Sequence, residues 1–288
     1  MGGDAFENHY RALFDSRWPA LRDALLGANT QVARLNRFVD DARDRLPPGA
    51  EAIAVEGCFH APELMPPVGT PLPYYVMDAA SVVAARALEV KPGDDVLDLC
   101  AAPGGKSLVL LESLADAGSL TANDPSRARR VRLGHVFEGY VPSEIRERVR
   151  ITGHDGTRWG LHEPERYDRV LVDAPCSSEA HVLADAKALS QWTAARPKQL
   201  AIRQGALLAA AVDSTRPGGR IVYCTCALDP RENDGVVAKI LKKRSDRVGT
   251  KAARCSIGEA TEHGWHILPD ATGFGPIYFA VLEKSTRA

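Results

Sequence analysis

No apolar run in this chain of 288 residues is long enough to cross a bilayer, and no segment reads as a signal peptide. Net charge is almost absent, at −1, so no global field draws the protein to a membrane or to nucleic acid; any nucleic-acid surface has to be local. The six cysteines (58, 100, 176, 224, 226 and 255) lack the density of a disulfide scaffold. Cys224 and Cys226 flank a single residue, too tight for a redox C-x-x-C, and no second Cys/His pair completes a zinc site. The thiols therefore read as reduced, no metal is expected, and the expected location is cytoplasmic. Asp4, Glu7 and Asp15 argue against an organellar transit peptide, and nothing repeats at a solenoid period. Both common nucleotide fingerprints are missing as well. There is no G-x-G-x-x-G, and Cys100 stands where G-x-x-x-x-G-K-[ST] needs its first glycine, so Gly105-Lys106-Ser107 is a P-loop lookalike.

What is present is organised around Asp95-Val96-Leu97-Asp98, the turn Leu99-Cys100-Ala101-Ala102-Pro103-Gly104, and the run Gly105-Lys106-Ser107-Leu108-Val109. A buried strand, a small-residue turn and a helix form the cofactor cradle of a doubly wound sheet. Small residues let backbone approach a ligand, and a helix start offers free N–H groups. Further strands are predicted at 119–124, 149–152, 167–173 and 220–225, with two more near 264–268 and 277–283. Helices are predicted over 79–89, 125–138, 198–214 and 232–244, so the alternation argues for an α/β fold with a mostly parallel sheet. Residues 5–46 have apolar positions at helical spacing and predict two or three helices broken near Pro19. Their arginines read as a solvated face rather than an RNA-contacting flank. The proline-rich stretch 47–75 reads as an irregular surface connector.

Four acids, Asp98, Asp124, Asp155 and Asp173, fall at or beside predicted strand ends. In a parallel sheet those ends share one edge, where ligands bind. One such acid means little, since Asp commonly caps helices. Four in register with the Ala-Ala-Pro-Gly-Gly-Lys turn fit a cofactor with ribose, adenine and amino-acid groups. Asp124 lies about 25 residues beyond Asp98, where a carboxylate for ribose hydroxyls is expected. Cys176 and Cys226 follow the fourth and fifth of these strands and should meet at the same edge. A buried cysteine is often only a small hydrophobe, as expected of Cys100, Cys224 and Cys58. Two thiols at a ligand edge point instead to nucleophilic catalysis with a second helper.

Asp-Leu-Cys-Ala-Ala-Pro-Gly-Gly-Lys-Ser at 98–107, Asp-Ala-Pro-Cys-Ser at 173–177 and Tyr-Cys-Thr-Cys-Ala-Leu at 223–228 together resemble the Sun-domain RNA (cytosine-5) methyltransferases. The match covers roughly residues 70–285. Met77-Asp78-Ala79-Ala80-Ser81 and Tyr140-Val141-Pro142 are most similar to the branch with the mitochondrial ribosomal-RNA member; bacterial relatives carry Gln where Met77 stands.

The resemblance implies a Rossmann-like methyltransferase domain over 76–288, after a helical extension and connector over 1–75. It implies S-adenosyl-L-methionine as cofactor and an RNA substrate, with ribosomal RNA expected and transfer RNA the alternative. A partner protein could direct RNA targeting; a monomer is the default. By similarity Cys226 is the nucleophile and Cys176 assists product release, while a Pro-Cys nucleophile as in DNA cytosine methyltransferases is the runner-up. Asp173 would hold the cytosine edge or the cofactor's amino group, and Lys106 would steer charge in the pocket. Cys100, Ala101, Ala102, Pro103, Gly104, Gly105 and Lys106 would cradle the methionine part. Asp124 with Arg129 would take the ribose, and Asp155 beside Gly156 the adenine amino group. The rival readings are a methyltransferase of another substrate and a silent assembly factor on the same fold.

Overall fold

The structure is a computed structural model that describes residues 2–27, 31–115, 117–252 and 255–286. Its larger sheet contains β5 (Asp95–Asp98), β6 (Ser119–Asn123), β7 (Val149–Thr152), β8 (Tyr167–Asp173), β9 (Thr215–Thr225), β10 (Val248–Lys251), β11 (Glu259–Ala260), β12 (Trp265–Ile267) and β13 (Ile277–Lys284). The order is β11-β12-β13-β9-β8-β5-β6-β7, with β10 also on β13. From β7 to β9 every pairing is parallel, and β13 adds antiparallel to β9, followed by β12 and β11, also antiparallel.

The central strands are near-continuous apolar runs because both faces are covered. Side chains alternate between the faces. Val96, Leu171 and Val222 enter one core, while Leu97, Val170, Val172, Ile221 and Tyr223 enter the other. Helices α3 (Ala79–Arg86), α4 (Gly105–Ser113) and α5 (Arg127–Tyr140) contribute to the first core. The long helix Ala195–Ser214 packs into the second. Chain order runs outward from β5 on one side and from β8 on the other, so the sheet reverses between them. Such a switch point opens a crevice at the carboxyl ends of the strands.

The N-terminal part departs from its sequence reading. Helices α1 (Gly2–Phe14) and α2 (Trp18–Leu26) form as expected, with Pro19 in the first turn of α2, where its missing N–H costs nothing. The helix expected to continue past residue 30 is instead β1 (Gln31–Leu35), and the expected connector carries β2 (Glu51–Ala52) and β3 (Cys58–His60). With β4 (Tyr74–Asp78) they make a second, antiparallel sheet in the order β2-β3-β1-β4. Long-range pairing decides this: Val32 faces Met77 and Ala33 faces Val76, a partner strand that local periodicity cannot reveal. Cys58 and Phe59 are buried, so this part of the stretch is not a surface connector, whereas 61–73 is irregular and largely exposed as expected. The boundary placed between 75 and 76 falls inside β4. Helices α1 and α2 bury Phe6, Tyr10, Trp18, Leu21 and Leu25 against Val182, Leu183, Trp192, Leu228 and Leu268 of the body. No described helix is long and apolar enough to cross a membrane.

Candidate active site

The turn after β5 is built for close approach. Gly104 has φ +123, and a Cβ there would lie 3.0 Å from both Leu133 Cδ1 and Val136 Cγ1. A Cβ on Gly105 would meet Tyr75 Cε1 at 2.8 Å. The turn is anchored by Leu99 N–H to Leu171 O and Ala101 N–H to Asn123 O, at 2.9 and 2.8 Å, which ties it to the neighbouring strands. Beneath it the Asp98 carboxyl is buried and accepts the Ser107 hydroxyl at 2.6 Å. Burial pushes the Asp98 pKa up to about 7.

At the end of β6, buried Asp124 accepts Ser126 N–H at 2.9 Å and pairs with Arg129 Nε at 3.2 Å. Arg129 also donates to the Ala102 carbonyl, joining turn, strand end and α5. Asp173, at the end of β8, accepts Lys106 Nζ at 2.9 Å and faces Cys224 Sγ at 3.5 Å. Burial works against the Lys106 ammonium, yet attraction to Asp173 outweighs it and the lysine pKa is raised. Cys224 is a buried thiol pushed well up by desolvation, as its reading as a small hydrophobe anticipated.

Cys176 Sγ and Cys226 Sγ lie 2.7 Å apart, both as free thiols. A hydrogen bond from Cys176 lowers the Cys226 pKa, and the same bond raises that of Cys176. Cys226 is thus the sulfur readier to become thiolate, and thiolate is the nucleophilic form.

Cys100, Ala102, Pro103, Asp124, Arg129, Gly156, Asp173, Cys176 and Cys226 all line one cavity of about 540 Å³ at the switch point. Ala101, Gly104, Gly105 and Lys106 stand behind this wall, in the turn and the start of α4. Asp155 is the outlier. Its exposed carboxylate accepts Thr157 N–H and Oγ1 at 3.1 and 2.9 Å, bonds that lower its pKa, and it is Gly156 that reaches the cavity. Leu99, Ala174 and Pro175 also line it, and Pro125, Ser126, Ser178, Arg203 and Leu207 are lining residues that escaped the sequence reading. Arg203 and Leu207 sit mid-helix with no motif around them; only the fold turns them inward. A separate cavity of about 500 Å³, bordered by Glu56, Arg86, Glu89 and Arg220, contains none of the expected residues. Among the described residues, no group of three or more His, Cys, Asp or Glu side chains is placed to hold a metal ion.

The main cavity fits a nucleoside-bearing sulfonium cofactor. Its size matches a drug-sized ligand, it has apolar walls at Leu99, Pro103, Pro125 and Leu207, and Asp124 stands at the second strand end. A Rossmann-like parallel sheet with that cradle defines an S-adenosylmethionine-dependent methyltransferase. A model of the family described as 16S rRNA methyltransferase RsmB/F matches residues 85–283. The chain belongs to this family of RNA cytosine-5 methyltransferases. It is 33% identical to the 5-cytosine rRNA methyltransferase NSUN4 of Bos taurus, over 98% of this chain and 88% of that protein. It is 31% identical to a mitochondrial tRNA (cytosine(34)-C(5))-methyltransferase of Mus musculus, over 99% and 91%. The fold is that of a methyltransferase homolog from Pyrococcus horikoshii, with TM-score 0.77 and 24% identity over 96% of this chain and 93% of that one. The expectation of a cytoplasmic protein needs correction. Composition bears only weakly on compartment, and the Mus musculus relative similar over nearly the whole chain is named as mitochondrial, which overturns that expectation.

Proposed function

We propose that this chain forms 5-methylcytosine in ribosomal RNA through a covalent adduct between Cys226 and the base. Ribosomal RNA is favoured by the relative named for it, which spans nearly the whole chain. The similarly extensive match to a transfer-RNA enzyme makes transfer RNA the second reading. The observation that carries the mechanism is the thiol pair. Two sulfurs 2.7 Å apart, one biased toward thiolate, share a cavity with the Asp173 carboxylate, which Lys106 holds from behind the wall.

Carbon 5 of cytosine is a weak nucleophile. Addition of the Cys226 sulfur to carbon 6 places electron density on carbon 5. Bound cofactor supplies a methyl group as electrophile at that carbon. The carbon-5 proton must then leave, and its electron pair re-forms the ring double bond as the sulfur–carbon bond breaks. Cys176, beside the departing sulfur, assists this release by accepting the carbon-5 proton as the sulfur–carbon bond breaks. Asp173, held by Lys106, accepts a hydrogen bond from the protonated cytosine edge, the proton offsetting the electron density that sulfur addition puts into the ring. The turn Cys100–Lys106 and Asp124 with Arg129 hold the cofactor, and Gly156 forms the wall near its base. A cytosine inside a helix cannot enter a cavity of this kind, so the substrate base is single-stranded or flipped out.

The test uses RNA in which 5-azacytosine partly replaces cytosine. Ring nitrogen at position 5 has no proton to lose, so the adduct stays trapped. Wild type and Cys176→Ala should give a denaturation-resistant adduct, and Cys226→Ala should give none. Loss of the adduct in Cys176→Ala alone would reverse the two roles. Sequencing the trapped RNA separates ribosomal from transfer RNA.

A further inference from the structure

Behind the thiol pair lies a buried carboxylate that the proposed chemistry does not use. Glu179 opens the short helix Glu179–Ala184, three residues after Cys176, and is fully buried. Three donors from three parts of the chain converge on it. The Ser177 hydroxyl and Tyr10 OH of α1 bond Oε1, the latter at 2.5 Å, and Leu228 N–H bonds Oε2 at 3.0 Å. Ser177 follows Cys176, and Leu228 lies two residues past Cys226. Between Ser177 and Glu179 the backbone of Ser178 takes φ +53, a conformation costly to a residue with a Cβ. A second buried acid, Glu232, accepts Ser177 N–H at 3.1 Å and Gln204 Nε2 at 2.7 Å, and Gln204 also holds the Pro175 carbonyl at 3.0 Å.

Burying carboxylates is expensive, and apolar side chains of like size stabilise a core as well or better. Here the buried acids sit where two loops with fixed relative position are needed. We infer that Glu179 is a positioning residue for the thiol pair: its carboxylate ties the Cys176 loop, the Cys226 loop and α1 together and so fixes the Sγ···Sγ contact. Glu179 does not line the cavity, so it acts only through the cysteines. The N-terminal helix is accordingly part of the catalytic frame rather than an appendage. This inference rests on Cys226 being the nucleophile, but its test needs no RNA, so it can fail separately from the methylation reading.

The test is peptide-resolved iodoacetamide alkylation of Cys226 against pH in the full-length chain, for wild type, Glu179→Gln, Tyr10→Phe and Ser177→Ala, with cofactor affinity as the control for folding. The groups facing Cys226 are Cys176, Asp173, Lys106, Glu179 and the Ser178 hydroxyl, whose hydrogen bond, like that of Cys176, lowers the Cys226 pKa. Their effects separate by sign. The Glu179 charge by itself raises the Cys226 pKa, so a purely through-space role predicts that Glu179→Gln lowers it. Positioning predicts the reverse, because the hydrogen bond from Cys176 is lost. The expected result is a rise of about one unit, or about tenfold less thiolate at neutral pH. Tyr10→Phe and Ser177→Ala keep the charge, should give smaller rises in the same direction, and carry the test if Glu179→Gln does not fold. A fall in Glu179→Gln, or profiles unchanged in all folded variants while only melting temperature drops, would overturn the proposal.

Discussion

Replacing Arg34 with Met should expose how firmly the N-terminal sheet is joined to the catalytic body. Arg34 lies on β1 and donates Nη1 to Glu112 Oε2 on α4 at 2.6 Å; the two side chains are only 2% and 4% exposed. Arg34 also bonds the Leu35 carbonyl at 3.2 Å. After Arg34→Met, Glu112 keeps only the long contact from Arg37 N–H, at 3.4 Å. Removing one partner of a buried ion pair leaves an uncompensated charge and costs about 3–5 kcal/mol. With about 2.1 cal/mol/K of unfolding entropy per residue, a chain of 288 residues should lose about 5–8 °C in Tm. The double variant Arg34→Met/Glu112→Leu should recover most of the loss, since an apolar pair of similar volume replaces the ions at little net cost. Urea unfolding of the two single variants and the double variant closes the cycle. A loss below about 1 kcal/mol for Arg34→Met, or a double variant as unstable as the sum of the singles, would refute the reasoning.

Other outcomes follow from the cofactor cradle and the buried acids. The Asp98 pKa lies at about 7 in the folded chain against an ordinary 3.8, so the native state holds a proton that the unfolded state gives up. Stability from this group is therefore lost as pH rises through that interval, and Asp98→Asn should gain about 3 kcal/mol over wild type between pH 5 and pH 8. Urea melts at both pH values check this; the comparison is against wild type because buried His266, its pKa lowered to about 4, acts with the opposite sign. An unchanged difference between the two proteins at both pH values would sink the argument. Asp124→Asn should weaken S-adenosylhomocysteine binding by about tenfold or more, read by calorimetry, since it removes a charged partner for ligand hydroxyls and loosens Arg129. Gly104→Ala, forced into φ +123 against Leu133 and Val136, should cost about 1–3 kcal/mol and reduce cofactor affinity; wild-type values in both assays would contradict the close packing argued for the turn.

By itself the sequence determined the parallel sheet, the cradle at 98–107 and the meeting of Cys176 with Cys226, because these rest on local signals. Apolar strands bounded by Asp, Gly and Pro mark their own ends, and a parallel sheet puts those ends along one edge. Burial of Cys224 was legible from its place within an apolar strand. The N-terminal region was not legible in the same way. Val32 and Ala33 satisfy a helical stripe as readily as a strand, and the choice was made by β4, more than 40 residues away in sequence. The bonds of the Asp155 carboxylate to its own following turn were not legible either, because local sequence does not separate a strand-end acid that caps a turn from one that faces a ligand. Arg203 and Leu207 reach the cavity with no motif to announce them. Only the tertiary structure shows that Glu179 gathers Ser177, Leu228 and Tyr10, since hydrogen bonds spanning as many as 169 positions leave no pattern in a single sequence. Local chemistry wrote the cradle; long-range packing decided what holds its two sulfurs in place.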